Sequence, residues 1–296
     1  MSKGTTQLTE KEQGEGSSLP TKEETDKAFE RSKGLWSQLS GLKQKLTETE
    51  NVVIVGAAGR DFHDFNVYWS HKHTANVVCF TAAPQLSIDL AKRIYPKELC
   101  PDGYPNGVPI FPESELESIV QQHKVSTVAM AYSDVSFNQV MTLATRANAA
   151  GANFVMLAPT VTMLESSMPV IAVCAVRTGA GKSQTTRYVA KLLREMGRKV
   201  VVVRHPMPYG VLKDQRCERF AKMEDMRRFN CTIEEMEEYE LHIEEGNVLY
   251  AGCDYQMILK QAEKEADVII WDGGNNDTSF FKPNLLICVA DALRAG

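Results

Sequence analysis

No C-x-x-C pair occurs among the seven cysteines, at positions 79, 100, 174, 217, 231, 253 and 288, so neither a zinc ribbon nor a thiol redox motif is supported. Several of them lie inside apolar runs such as Val77–Phe80 and Ile171–Cys174 and read as buried small hydrophobes. No apolar run approaches the roughly 20 residues that cross a bilayer. An apolar stretch is also missing from Met1–Pro20, which is polar and contains Glu. That start resembles neither a signal peptide nor a transit peptide, so the chain is expected to be cytoplasmic and without a membrane partner. Basic charge is not in excess: 33 Lys and Arg stand against 38 Asp and Glu, a net charge of −5, which argues against a nucleic-acid partner. The dinucleotide fingerprint G-x-G-x-x-G is absent too. Gly56-Ala57-Ala58-Gly59-Arg60-Asp61 supplies only G-x-x-G, so no nicotinamide site is read there.

What remains is a chain of 296 residues with 43% hydrophobic residues, enough to bury full cores in two domains. Residues 1–25 lack hydrophobic periodicity and are expected to be disordered. A weak helical pattern follows over Asp26–Leu46, where Phe29, Trp36, Leu39, Leu42 and Leu46 fall near one face. From Asn51 short apolar runs alternate with helical stretches. Strands are expected at Val52–Val55, Asn76–Thr81, Thr127–Tyr132 and Asn153–Leu157. Helices are expected at Asp61–Lys72, Gln85–Ile94, Glu113–His123 and Val135–Ala150, with a Pro-rich loop between Pro96 and Pro112. Such alternation implies a parallel, doubly wound sheet.

The rhythm breaks between Ala158 and Pro169. It resumes with strand Val170–Val176, helix Lys182–Met196 and strand Lys199–Arg204. A long irregular acidic region then runs to about Glu245, followed by helix Cys253–Glu265 and strands Asp267–Asp272 and Leu285–Asp291. The fold class is therefore α/β. A disordered or helical extension covers 1–50, a Rossmann-like parallel-sheet domain 51–168, and a P-loop NTPase-type α/β domain 169–296. The last sheet ends on a strand with no closing helix, and the expectation is a fragment or truncated product.

A buried strand running into Arg177-Thr178-Gly179-Ala180-Gly181-Lys182-Ser183 and then a helix is a phosphate-loop context. Glycines let the backbone wrap closely around phosphate oxygens, and the helix start adds unpaired N–H groups and a positive dipole end. Residues 178–184, through Gln184, are the candidate nucleotide cradle for ATP or GTP. Lys182 can reach the terminal phosphates, and the Ser183 hydroxyl can ligate Mg²⁺. The strict motif needs glycine at 176, and this chain has Val176; loops of the dethiobiotin synthetase type relax the same position. Val268-Ile269-Ile270-Trp271-Asp272 is an apolar strand ending in an acid that can hold the metal directly or through water. Gly273-Gly274 lets the chain turn close to the phosphates.

Arg204-His205-Pro206-Met207-Pro208-Tyr209-Gly210 follows the next strand and suits an anionic substrate, because guanidinium binds phosphate in a bidentate way. The seven glutamates within 234–245 read as a solvated helix face, with the alternative that one or two hold a second Mg²⁺ or act as a base. In the first half, Arg60 and Asp134 close strands on one sheet edge, where the G-x-x-G turn could form an anion nest. His71 and His73 read as surface residues.

These segments resemble the cyclic 2,3-diphosphoglycerate synthetase family. The likeness runs from Asn51 to the end of the chain. It rests on Gly56–His63, Ala131–Val135, Val173–Gly179, Arg204–Gly210, Cys231–Glu235 and Trp271–Asp277. It implies ATP-dependent closure of a phosphoanhydride within 2,3-bisphosphoglycerate, with Lys182, Arg177 and Asp272 as the catalytic set. Ser183 and Asp272 would hold Mg²⁺, and Arg60, Arg204, His205, Tyr209 and Asp134 would bind a small phosphorylated substrate. The residues after Asp291 depart from the family, which has a Pro-His-Arg run and a further segment there. An Asn-Lys-x-Asp strand end, which would read a guanine base, is absent. A regulatory or chaperone-type GTPase and a truncated inactive homologue stay as alternatives, and homo-oligomerisation is left open.

Overall fold

The computed structural model describes residues 22–47, 49–83, 93–131, 135–205, 210–275 and 277–293. The chain separates into two compact units, residues 1–48 and 49–296. The first contains helix α1 (Lys22–Thr47), longer at its start than the expected span. Residues 22–25, expected to be unstructured, thus belong to a helix, and residues 1–21 lie outside the described ones. Lys27–Glu23 at 2.8 Å and Lys33–Glu30 at 2.9 Å are exposed pairs one turn apart on α1.

The second unit opens with β1 (Glu50–Val55), α2 (Arg60–Val67), β2 (Ala75–Ala82), β3 (Ile94–Tyr95) and β4 (Val108–Pro112). α3 (Leu116–Gln122), β5 (Thr127–Met130), α4 (Phe137–Ala150) and β6 (Asn153–Met156) follow. These strands form a six-stranded sheet in the order β3-β4-β2-β1-β5-β6. It is parallel except for β3 against β4. Val52 to Val55 are all buried, as expected of a strand covered on both faces. One face packs Val52 and Ile54 against Phe62, Phe65, Phe80 and Tyr95; the other packs Val53 and Val55 against Leu116, Ile119 and Leu143. The Phe62 ring stacks on Tyr95 at 4.7 Å and meets Phe80 edge-on at 5.1 Å.

The expected helix over Gln85–Ile94 falls on residues 84–92, outside the described ones, and Ile94 itself begins β3. The Pro-rich loop contains a strand at its end. β4 tolerates Pro109 and Pro112 because they sit near its two ends, where a missing N–H breaks few ladder bonds.

α5 (Pro159–Thr162) leads into the second sheet, and Leu164 forms an isolated parallel bridge with Phe281. β7 (Val170–Ala175), α6 (Lys182–Glu195) and β8 (Val200–Arg204) match the expected elements closely. The region read as irregular contains β9 (Glu218–Phe220), α7 (Met223–Arg228) and α8 (Ile233–Glu244), and an unexpected strand β10 (Val248–Ala251) follows it. α9 (Tyr255–Ala262), β11 (Val268–Asn275) and β12 (Leu285–Val289) complete the described chain. The strand order is β12-β7-β11-β8-β10-β9, parallel except for β9 against β10. α8 starts at a capping box in which Thr232 accepts from Glu235 N–H and Glu235 accepts from Thr232 N–H. Its inward face mixes Met236, Tyr239 and Ile243 with buried Glu235 and His242, and this polar admixture conceals the helical period in the sequence.

Of the cysteines, Cys79, Cys174 and Cys253 are buried as expected, whereas Cys288 on the edge strand β12 is exposed. Among the described residues no helix is long and apolar enough to cross a membrane. Truncation of the aromatic cluster tests the packing of the first sheet. Phe80→Ala is expected to cost about 3–5 kcal/mol of unfolding free energy in urea titration, and a loss below about 1 kcal/mol would contradict the packing described.

Candidate functional site at the carboxyl ends of the second sheet

Between the end of β7 at Ala175 and the start of α6 at Lys182 the chain makes a tight glycine-rich loop. Gly179 (φ 80°) and Gly181 (φ 97°) occupy the left-handed region that side chains avoid. Val176, where the strict motif has glycine, is not in that region, so a β-branched residue is accommodated without strain. No side chain caps the first turn of α6, which leaves its leading N–H groups directed into the space in front of it.

That space is a cavity of about 460 Å³. Arg177, Thr178, Gly179, Gly181, Lys182, Ser183 and Gln184 line one side; Ala180 belongs to the loop but is not among the lining residues. Arg204, His205, Glu238, Gly273 and Gly274 line the other. The parallel order β7-β11-β8 brings these groups together, because it sets the ends of three strands side by side.

Behind the lining residues Lys182 and Arg204 lies Asp272, fully buried on β11 and not itself among the lining residues. Its Oδ1 accepts from Lys182 Nζ at 2.7 Å and from Thr186 Oγ1 at 2.9 Å. Its Oδ2 accepts from Arg204 at 2.8 Å and lies 3.4 Å from His242 Nε2. Burial pushes this carboxyl upward, but Arg204, His242 and Lys182 outweigh it and hold the group well below the usual carboxylate range. Lys182 is shifted down, since its own burial and the nearby Arg204 outweigh the attraction of Asp272. Arg204 also donates to Glu238 at 2.6 Å, so α8 supplies a second carboxylate to the cavity.

His205 and Gly274 are fitted to one another: a side chain at 274 would come within 2.7 Å of the imidazole ring. Its Nδ1 lies 3.5 Å from Asp277, a residue that also accepts from Arg60 Nε at the start of α2 at 2.7 Å. Arg60 further donates to the Thr278 carbonyl at 2.6 Å and hydroxyl at 2.9 Å, and lies 4.7 Å over the Phe280 ring. It therefore clamps the loop after β11 and does not line the cavity.

The G-x-x-G turn is filled from within. Asp61 accepts from the N–H groups of Ala58 at 3.0 Å, Gly59 at 2.9 Å and Phe62 at 2.8 Å. The turn read as an anion nest thus holds the chain's own carboxylate. Asp134 and Tyr209 lie outside the described residues. His71 and His73 are exposed, as read from the sequence.

The residues that sequence reasoning passed over are Glu238, His242 and Thr186. Glu238 and His242 are one turn apart on α8, so both point toward the same strand ends. The i,i+4 spacing was the available signal, submerged in the surrounding glutamates.

No family model matches the chain. It is similar to arginine synthetase ArcE of Thermococcus kodakarensis. The two are 57% identical over 247 residues, which cover 83% of this chain and 55% of that protein. The chain spans about half the length of the curated relative it matches. Among solved structures, Bacillus cereus enoyl-acyl carrier protein reductase with NADP⁺ and an indole naphthyridinone aligns over 76% of this chain and 95% of that one. Its TM-score of 0.23 and 16% identity are too low to inform the fold.

Beside the Arg60 clamp, two α2 side chains are buried with perturbed protonation. His63 Nε2 donates to the Thr162 carbonyl oxygen at 2.7 Å, since that oxygen can only accept, and burial pushes the imidazole down to about 3. Asp64 is pushed up to about 7 by burial, partly offset by Arg60. An unfolded aspartate ionises near pH 4, so the folded chain binds the extra proton between about pH 4 and 7, and stability falls as pH rises through that window. Asp64→Asn, which cannot ionise, is expected to lose less stability than the parent between about pH 4 and 7 in urea titrations. Parallel losses in both proteins would contradict the raised value.

Proposed function

We propose that this chain provides the nucleotide-binding and phosphoryl-transfer site of an ATP-dependent synthetase. The observation that carries the reading is the Lys182–Asp272 contact of 2.7 Å, set beneath a glycine loop that enters an uncapped helix. An amine held by a buried acid in this position is a charge reserve for a polyphosphate. The loop fits that ligand as a P-loop would: two left-handed glycines bring backbone N–H groups close, and the start of α6 adds its own.

A divalent cation also fits. Ser183 lines the cavity and is a hard oxygen donor, while Asp272 lies behind Lys182, outside the lining, and would reach a cation through water or once a phosphate draws that flexible amine away. Mg²⁺ bound there would offset the charge on the transferred phosphoryl group. Arg177 and Lys182 would contact the phosphates, while Arg204 holds the Asp272 carboxylate in place.

A synthetase of this kind phosphorylates an oxygen of its substrate and then lets a second nucleophile displace the phosphate. Positioning supplies much of the rate. In the reading taken from the relative's name, the product is arginine, so the activated oxygen belongs to a ureido group and the nucleophile is ammonia. Glu238 on the acceptor side of the cavity favours this reading, because a carboxylate suits a nitrogen-bearing acceptor better than a polyanion. The second reading is the cyclase. The shared strings at Gly56–His63, Arg204–Gly210 and Trp271–Asp277 support it, and 2,3-bisphosphoglycerate is its substrate.

The test incubates the protein with Mg²⁺, ATP and either L-citrulline plus ammonium or 2,3-bisphosphoglycerate. Arginine appearing with ADP and phosphate supports the first reading; a cyclic pyrophosphate signal in phosphorus NMR supports the second. Phosphate release without either product, and faster with GTP, would favour a switch-type GTPase. Lys182→Ala is expected to weaken ATP binding about 10- to 100-fold in calorimetry, through loss of a charge-assisted contact. Unchanged affinity would refute the site.

A further inference from the structure

We infer that Glu238 is the ammonium-binding residue of the cavity, and that it takes on this role once a nucleotide has drawn Lys182 onto its phosphates. The inference deepens the reading of the site as a synthetase with a nitrogen nucleophile, and it rests on that reading. Among the described residues that line the cavity Glu238 is the one carboxylate, whereas Arg177, Lys182 and Arg204 line it as cations. A polyphosphate gains nothing from an acid at the wall of its site, because like charges repel there. The fold nevertheless holds this one in place. Glu238 lies in the second turn of α8, whose start is fixed by the Thr232–Glu235 capping box, and its neighbour Tyr239 is anchored in the core. Its side chain is 38% exposed, while that of Arg204, which it meets, is 6% exposed.

Two cations and two carboxylates form the cluster behind and along this wall. Lys182 Nζ lies 2.7 Å from Asp272 Oδ1, and Arg204 donates to Asp272 Oδ2 at 2.8 Å and to Glu238 Oε2 at 2.6 Å. A triphosphate on the glycine loop takes the lysine amine for its own charge. Asp272 is then left with Arg204, and a single guanidinium cannot neutralise two carboxylates. Because Asp272 is fully buried, it needs that cation most. Glu238 becomes the surplus negative charge, across the cavity from the loop. One of its oxygens is pinned by Arg204, and part of its side chain stays open. Such a carboxylate suits a compact cation with N–H donors on every side, which is what ammonium is. A guanidinium ligand would need both oxygens and would have to displace Arg204. Nucleotide therefore binds first and ammonium second.

The test uses the full chain with Mg²⁺, ATP and L-citrulline, and varies either ammonium or hydroxylamine, a nitrogen nucleophile that is uncharged at neutral pH. Glu238→Gln keeps an oxygen for Arg204 and removes the charge. It is expected to raise the KM for ammonium about tenfold or more, the loss of one charge-assisted contact. The KM for hydroxylamine and the affinity for adenylyl imidodiphosphate in calorimetry are each expected to change less than about threefold. Glu238→Asp, which retains the charge, is expected to recover part of the ammonium KM. Equal rises for both nucleophiles, or a matching loss of nucleotide affinity, overturns the role, since a carboxylate that only props Arg204 would act on both. Thermal unfolding supplies a binding arm that needs no turnover. With Mg²⁺ and adenylyl imidodiphosphate, ammonium chloride is expected to raise the parent's Tm saturably above tetramethylammonium chloride at equal ionic strength. That rise is expected to vanish in Glu238→Gln and without nucleotide; its persistence in either case overturns the inference. A parent protein that forms a cyclic pyrophosphate, or neither product, overturns the synthetase reading and this role with it. Arginine formation without the nucleophile-selective shift overturns the role alone.

Discussion

Burying a carboxylate costs several kcal/mol unless its partners restore what water supplied, and Asp272 is buried completely. Lys182, Thr186, Arg204 and His242 surround its two oxygens, and they come from α6, β8 and α8. α6 and α8 are anchored to the second sheet by their own apolar contacts and β8 is one of its strands, so the acid is the point where three elements converge behind the cavity. Removing both Lys182 and Arg204 would leave the buried charge without a cation. That couples the architecture of the sheet to the chemistry in front of it.

Around this centre the charges form a chain. Arg204 is shared between Asp272 and Glu238, and His205 lies between the cavity and Asp277, which Arg60 clamps from the first sheet. The first sheet thus reaches the cavity wall through a buried ion pair. Such a pair is weak evidence for net stability, because desolvation offsets much of its attraction. Its geometric effect is clearer. It fixes the loop after β11, and with it the ring that Gly274 leaves room for.

Much of this was legible in the residues themselves. Apolar runs such as Val52–Val55 and Val200–Val203 mark buried parallel strands, and the Gly-Lys-Ser start of α6 marks the loop. The segment 205–247 was not legible as regular structure. Its helix α8 turns Glu235 and His242 inward, so the contrast between apolar and polar faces that reveals a helix is blurred. β10 has only four residues, too short for a period to declare itself.

The sequence by itself determined the α/β class, the glycine loop and the acid at the end of β11, because each is a local pattern with a local physical cause. Tertiary structure decided what those groups do to one another. The nest after β1 looked open to a ligand, and Asp61 closes it from within. Arg60 and Arg204 looked like free cations for a substrate, and buried carboxylates hold both. Glu238 looked like one more solvated glutamate, and it lines the cavity. Partners separated by tens or hundreds of residues meet only when the sheets form. Charge pairing depends on that meeting, and no local spacing encodes it.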